Sequence, residues 1–464
     1  MIRLALILLI ITISSGSLPA MNPLSLEESI AIALENNKEL KAQAEGYNAA
    51  RWSEYNMFGN YLPQASLNAM AVRIDNKTYE RASEVFKIPV FGSNNLPTGD
   101  YIPFSAGALN GLYRTTYRTN ITVQQPLFAG GKIFLGHQIS RLATKQAENL
   151  VADKENEITH QVTDLYFNIL KMQDLKETVG KSILAAEANL HKVREMKEQG
   201  MARQTDLLQW QFRLQDYQIS RRELENNIEM LLELWNNTLG VPDRSYQPVP
   251  LDLESFDREI GEIAALSGEE IEQYLEKNVR ALTEHNPRMK NIEVTRKIVG
   301  KNYTIAKGNF LPSLNLQFSY EFEDSDRIDF SGEKSWNLAA VLSFPLFRGG
   351  ANYTNLRKAK AEKRETEYAV SALEDYLVVE TRRLSRLLIT TALQVQSSKT
   401  GLDLARENYR ILKNLSEQGM ITNSEFLDAE VMLFAGETNV IAAYYDFIIT
   451  SYELNKYTTF KGVR

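Results

Sequence analysis

The 464-residue chain contains no cysteine. That excludes disulfides, thiolate metal sites, a cysteine nucleophile and a lipid anchor on an N-terminal cysteine. Histidine is nearly as scarce. His137, His160, His191 and His285 stand far apart, and no HExxH, GxSxG or P-loop pattern accompanies them. His160 and His191 are expected on solvated helix faces. The reading is therefore of a protein that is not an enzyme and needs no cofactor or bound metal. Positive charge is not in excess either: 52 Lys and Arg face 59 Asp and Glu. Without a leader containing Arg3 the balance is 51 against 59, a net charge of about −8. With no basic run in the chain, nucleic acid is an unsuitable partner. Apolar residues make up 44% and mean hydropathy is −0.31, too polar for a bundle of membrane helices.

What is present begins with an address. Met1–Ile13 carries Arg3 and then an apolar stretch from Leu4 to Ile13, followed by small and turn-forming residues to Ala20. Residues 1–20 thus read as a secretory signal peptide, cleaved near Ser17 or Ala20. An uncleaved anchor fits less well, because ten apolar residues span roughly 15 Å as a helix, about half a bilayer. No later stretch approaches the ~20 apolar residues of a spanning helix.

The remainder is written twice. Pro126-Leu127-Phe128-Ala129-Gly130-Gly131 recurs as Pro345-Leu346-Phe347-Arg348-Gly349-Gly350, and Glu198-Gln199-Gly200-Met201 as Glu417-Gln418-Gly419-Met420, both at an offset of 219. Upstream, Tyr61-Leu62-Pro63 matches Phe310-Leu311-Pro312 and Asn37 matches Asn286, at an offset of 249. The 30-residue difference places an insertion in the first repeat, within about 76–115. The expected organisation is a first repeat over 21–240, a connector over 241–268 and a second repeat over 269–464. The insertion holds Tyr79, Phe86, Phe91, Tyr101, Phe104 and Tyr113. It is read as a structured loop facing outside the cell rather than as a plug or lid.

Proline spacing sets the architecture. None of the 13 prolines falls between Leu127 and Val241 or between Leu346 and Arg464, which permits long helices. Ile158, Val162, Leu165, Ile169 and Met172 step as a coiled-coil seam, and Val370, Leu373 and Leu377 repeat it. The pattern predicts a helix from Phe134 to Gln199, roughly 100 Å long, a turn at Gly200, and a return helix over about Thr205–Leu239. A further helix is expected from Glu269 to Gly308.

Other segments have period two. Leu314, Leu316, Phe318, Tyr320 and Phe322 alternate with Ser313, Asn315, Gln317, Ser319 and Glu321, and Trp336, Leu338, Ala340, Leu342 and Phe344 form a partner face. In the first repeat Ile121 and Val123 alternate with Asn120, Thr122 and Gln124, whereas Gln64–Asp75 is a poorer strand because Arg73 falls in register with Leu67. The expected β-hairpins are about 62–126 and 311–345. One-sided strands of this length suit a transmembrane barrel, with Tyr61, Phe128, Phe310, Phe344 and Phe347 as an aromatic girdle at its inner end. Pro126, Gly130, Gly131, Pro345, Gly349 and Gly350 would turn strand into helix. Four strands cannot close alone in hydrocarbon, so the chain is expected to oligomerise through them.

Together the duplicated Leu-Pro strand, Pro-Leu-Phe-x-Gly-Gly turn and long helices with Gly-containing tips resemble the TolC family of outer-membrane efflux proteins, over about Leu24 to Tyr457. The resemblance implies an α+β membrane protein with four transmembrane strands per chain. It implies a homotrimer whose 12-stranded barrel sits among outer-membrane lipid and continues into a periplasmic α-helical coiled-coil barrel. It also implies a periplasmic adaptor and an inner-membrane pump of RND, ABC or MFS type, moving drugs, metals or polypeptides outward. Gln199, Gly200, Met201, Gln418, Gly419 and Met420 resemble the tips that meet the adaptor. Asp206, Glu425 and Asp428 resemble the acidic ring at the closed entrance, against the plainer reading of acids at helix N-termini. The family's aromatic and basic partners in that constriction fall at Ser416 and Ile421, and neither fits, so Arg203 stands as the substitute cation. The rival classes are a structural coiled-coil protein of the envelope, which leaves the strands unexplained, and a diffusion porin, for which too little of the chain is strand.

Overall fold

The computed structural model describes residues 22–77, 85–93, 95–105, 115–242, 246–325, 327–328, 330 and 333–458. The signal peptide, together with Tyr79 and Tyr113 of the insertion, lies outside the described residues. The described chain forms two compact units. One takes 22–48, 145–295 and 368–458, the other 49–144 and 296–367, so each draws on both repeats.

The first unit is chiefly helical. Its short strands β1 (Asn22–Leu24) and β6 (Tyr246–Pro248) pair in parallel. It holds α1 (Leu26–Asn36), α4 (Gln204–Thr238), α5 (Asp257–Ala264), α6 (Glu269–His285) and α9 (Asn423–Thr458). It also holds part of α2 (Lys38–Gly59), α3 (Lys132–Glu198), α7 (Pro287–Gly308) and α8 (Ala351–Glu417). Helices α3 and α8 have 67 residues each, and neither contains proline, which would remove a ladder hydrogen bond. The seam residues Ile158, Val162 and Ile169 are fully buried and pack with Trp235, Leu388 and Phe447. In the second repeat Val370 and Leu377 are buried, but Leu373 is 42% exposed, so the seam there is narrower than its heptad spacing suggests.

One helix is broken where a continuous one was expected. The segment predicted over Glu269–Gly308 stops at His285 and restarts at Pro287, whose missing N–H makes it a natural first helical residue. Asn286 Oδ1 accepts from the Arg288 N–H at 2.9 Å, and its Nδ2 donates to Tyr457 O at 3.2 Å. Its repeat equivalent does the same work. Asn37 accepts from the Glu39 and Leu40 N–H groups and donates to Thr238 O. His160 also departs from expectation: it is half-buried, its Nδ1 has no hydrogen-bond partner, and burial lowers its pKa.

The second unit is built on a four-stranded antiparallel sheet in the order β2 (Gln64–Arg73), β5 (Thr115–Ala129), β7 (Ser313–Asp324), β8 (Glu333–Ser343). Register keeps the two faces separate. Leu67, Ile121, Tyr320 and Trp336 lie in one cross-strand row, and Asn68, Asn120, Glu321 and Ser335 in the next, on the opposite face. Asn68 donates to Asn120 at 3.0 Å. Arg118 bridges Glu323 and Glu321 at 3.2 and 3.5 Å towards the far end. The insertion carries its own hairpin, β3 (Val85–Phe91) with β4 (Pro97–Ser105).

Candidate functional site

Both helical tips are closed by one device. Gly200 has φ +75° and Gly419 φ +74°, a left-handed conformation that side chains disfavour. The Met201 N–H donates to Met196 O at 2.8 Å and the Met420 N–H to Leu415 O at 2.9 Å. Gly200 donates to Lys197 O, and Gly419 to Ser416 O. These bonds satisfy carbonyls that each helix end would otherwise leave open. Beyond that backbone task, Gln199, Met201, Gln418 and Met420 are all exposed, which leaves two Gln–Gly–Met points free for contact.

The predicted acids follow at once. Asp206 Oδ2 accepts from the Arg203 N–H at 2.9 Å. Glu425 Oε2 accepts from the Thr422 N–H at 2.7 Å and from its hydroxyl at 2.9 Å, while the Glu425 N–H donates to Thr422 Oγ1 at 3.3 Å. Glu425 therefore closes a capping box with Thr422, whereas Asp206 makes only the return bond to the Arg203 N–H, because an arginine side chain cannot accept. The Thr422 backbone N–H, then its hydroxyl, holds the Glu425 carboxyl below the ordinary range. Asp428 is exposed one turn later on the same face. Ser416 and Ile421 supply neither an aromatic ring nor a cation. Ser416 gives its carbonyl to the turn, and Ile421 packs against the cluster beneath the tips.

That cluster holds residues the sequence reading did not single out. Trp210 on α4 is fully buried, and its indole N–H donates to Asn423 Oδ1 at 2.8 Å. Phe426 lies between the rings of Trp210 and Tyr409, at centroid distances of 6.2 and 5.7 Å. One level further, the buried Tyr217 hydroxyl donates to both carboxylate oxygens of Glu430, at 3.2 and 3.1 Å. Burial raises the Glu430 pKa, which the Tyr217 hydroxyl and the charge of Arg213 only partly offset. Burial and then the Glu430 charge raise the Tyr217 pKa, so the hydroxyl keeps its proton and donates. The two repeats are thus joined below their tips by side chains of α4 and α9. The available signal was the step Trp210, Leu214, Tyr217, a coiled-coil seam that ends in aromatics.

At the sheet, Tyr61, Phe128, Phe310, Phe344 and Phe347 are all exposed where strands meet helices. Gly130, Gly131, Gly349 and Gly350 all take positive φ, between +57° and +81°, directly after the strands or their flanking Pro-Leu-Phe. Among the described residues no helix is long and apolar enough to cross a membrane, and no cluster of three or more His, Asp or Glu could hold a metal ion.

The chain thus combines a four-stranded sheet, apolar on one face, with long helices that are joined at glycine turns. Residues 278–458 match the family model described as outer membrane efflux protein. The chain is 21% identical over 433 residues to the proteases secretion protein PrtF of Dickeya chrysanthemi, covering 92% of this chain and 86% of that protein. It is 24% identical over 331 residues to the outer membrane protein TolC of Vibrio cholerae, covering 67% and 70%. The solved structure of the outer membrane protein VceC from Vibrio cholerae superposes with a TM-score of 0.74 at 14% identity, over 93% of this chain and 95% of that one. Over residues 278–458 the chain is thus similar to the outer membrane efflux proteins, and over most of its length it is similar to outer-membrane proteins of secretion and efflux.

Proposed function

We propose that the chain is the outer-membrane conduit of a tripartite efflux or type I secretion system, a trimer with a 12-stranded barrel that is gated at its periplasmic tips. The observation that carries this reading is the four-stranded sheet with β2 and β8 at its free edges. An open edge in hydrocarbon leaves backbone groups unsatisfied, and only edge-to-edge closure with further copies removes both edges. Three copies give 12 strands, enough for a passage, whereas the interior of eight is filled by side chains. The uncharged row Ser66, Thr122, Ser319, Asn337 would then face the lumen, and Leu67, Ile121, Tyr320, Trp336 the lipid. The aromatic residues at the strand ends would sit at headgroup level.

At the helical tips, Gln199, Met201, Gln418 and Met420 would meet a periplasmic adaptor that couples the conduit to an inner-membrane pump of RND, ABC or MFS type. Glu425 and Asp428, exposed on one helix face, would supply six carboxylates to a trimeric entrance, and Asp206 three more. Such a ring favours cations. Capping and ring duties are compatible, since a capping carboxylate keeps its charge. Relatives whose names state protease secretion favour polypeptide cargo alongside small molecules and metals. Single-channel conductance of detergent-extracted protein tests the reading. Small cation-selective currents, blocked by divalent cations in wild type but not in Glu425→Ala/Asp428→Ala, are expected. A protein that forms no channel would refute it.

A further inference from the structure

Duplication lets one half of the sheet unit report on a contact the other half leaves unmade. Inside the chain, the β5–β7 pairing brings the start of α3 beside the end of α7, and two contacts define that seam. A Cβ on Gly130 would lie 2.4 Å from Gly308 O, and one on Gly308 would lie 2.3 Å from Gly130 O, so two glycines are required. Two turns further, Lys301 Nζ donates to Gln138 Oε1.

By the repeat offsets of 219 and 249, Gly130 corresponds to Gly349, Gln138 to Arg357, Gly308 to Gly59 and Lys301 to Trp52. The local backbones match as well. Gly349 and Gly350 have φ of +57° and +81°, against +61° and +79° at Gly130 and Gly131. The helix ends at 57–62 and 306–311 make the same three backbone bonds. Yet around Gly59 and Gly349 nothing stands within 4 Å of where a Cβ would be. The glycines of the seam are repeated, but the seam is not.

The side chains beside them are not copies. Where α7 has Lys301, Thr304 and Lys307, α2 has Trp52, Tyr55 and Phe58, which are 72%, 60% and 51% exposed. Where α3 has Phe134, Gln138 and Arg141, α8 has Tyr353, Arg357 and Lys360, all exposed, with the Arg357 guanidinium 5.6 Å from the Tyr353 ring centroid. One helix thus offers bare aromatic faces and the other cations. Trp52 lies about 10 Å along α2 from its end at Gly59, and Arg357 about 9 Å along α8 from its start. The strands alternate in direction, so the start of β2 and the end of β8 lie at one end of the sheet.

We propose that the Trp52–Tyr55–Phe58 face of α2 is the docking surface for a second copy of this chain, which contributes its Gly349 turn and the Tyr353–Arg357 face of α8. Gly59 meets Gly349 as Gly308 meets Gly130, and the Trp52 ring covers the Arg357 guanidinium where Lys301 meets Gln138. An indole is the best aromatic face for a cation, and a guanidinium is the cation found there more often. The interface is head-to-tail, the type that generates a ring when its rotation closes, as a barrel with no free edge requires. This inference rests on the oligomeric conduit proposed above, and deepens it by naming the residues of the joint.

The natural lack of cysteine makes the test direct. Trp52→Cys/Arg357→Cys and each single variant are made in the full chain, extracted from outer membranes and treated with a bismaleimide of about 8 Å span. Native mass is measured on the untreated protein. An oligomer that yields a dimer and trimer ladder from the double variant, and none from either single, is the expected result. Gly59→Leu, whose Cβ would have no atom within 4 Å in the isolated chain, is expected to lose the oligomer while keeping its helical circular dichroism. A monomeric wild type overturns the conduit reading and the joint together. An oligomer whose accessible thiols take a monofunctional maleimide but do not cross-link overturns the joint alone and leaves the aromatic face to lipid. An oligomer that survives Gly59→Leu does the same.

Discussion

The Tyr217–Glu430 pair offers a measurable account of what holds the two tips of one chain together. Glu430 is 4% exposed and Tyr217 1%, so neither group has water to fall back on. Tyr217→Phe removes a donor that reaches both carboxylate oxygens, at 3.2 and 3.1 Å, and leaves the carboxylate buried beside an apolar ring. A hydrogen bond to a charged group contributes about 1.5–3 kcal/mol, and the orphaned acceptor adds its own desolvation cost. A loss of about 2 kcal/mol is roughly a 30-fold rise in the local opening constant. Glu430→Gln keeps an acceptor for the hydroxyl and removes the charge whose burial is unfavourable, so its effect near neutral pH is expected to be small or stabilising. Amide hydrogen exchange over 204–217 and 423–434, followed by mass spectrometry, reads the opening directly. The double variant Tyr217→Phe/Glu430→Gln should exchange more slowly than Tyr217→Phe alone, because the uncompensated charge is gone. If Tyr217→Phe exchanges at the wild-type rate, or Glu430→Gln opens the tips as far as Tyr217→Phe does, the pair is not the latch described.

The pH dependence of the same site has a definite sign. Burial sets the Glu430 pKa above the ordinary carboxylate value, so the folded tip binds a proton the unfolded chain has released. Its stabilising contribution is full below the ordinary value and is lost as pH rises through the raised one. The tips should therefore protect their amides better in mild acid than at neutral pH, and Glu430→Gln should flatten that slope.

Two further outcomes follow from geometry already given. Gly308→Ala forces a Cβ to within 2.3 Å of Gly130 O, and backbone cannot move aside cheaply; a loss of about 1–3 kcal/mol is expected, read as a lower denaturation midpoint in detergent. Glu425 behaves oppositely to Glu430, because the Thr422 backbone N–H and hydroxyl lower its pKa. Its contribution is present above the ordinary carboxylate value and lost as pH falls through the depressed one. Exchange at the first turn of α9 should accordingly quicken in acid, and Glu425→Gln should remove that response.

Much of this molecule was readable because its signals are periodic and repeated. Alternation places Leu67, Ile121, Tyr320 and Trp336 in one row of the sheet, and the positions lacking proline mark out α3 and α8. The Glu-Gln-Gly-Met pairs mark both turns. The helix breaks at Asn37 and Asn286 were harder to read, since each depends on a side chain that caps its own helix while reaching a distant carbonyl, Thr238 O or Tyr457 O. Leu373 kept the heptad spacing and still came out exposed, because spacing fixes a direction from the helix axis and not the presence of a neighbour there.

The candidate site shows the same division on a finer scale. Asp206 and Glu425 were legible as acids just after a turn, a local fact of sequence. Their capping bonds to residues 203 and 422 lie only three positions away. Glu430 is a different case, since it pairs with Tyr217 across 213 residues, and the repeat offset of 219 gives no warning of it: position 211, its counterpart, is a glutamine, and the counterpart of Tyr217 is Gly436. Gly436 lies against α8, where a Cβ would fall 3.4 Å from Ala405 and Leu402. Duplication therefore copies what each repeat needs for itself, the turns, caps and strand faces. Apart from the close approach of Gly130 and Gly308, the side chains described here as joining one repeat to the other differ between the repeats, because the two partners of such a contact are complementary rather than alike. Trp210 with Asn423 and Tyr217 with Glu430 obey that rule within the chain. The exchange of Lys301 for Trp52 and of Gln138 for Arg357 is the same rule applied to a partner that only a second copy can supply.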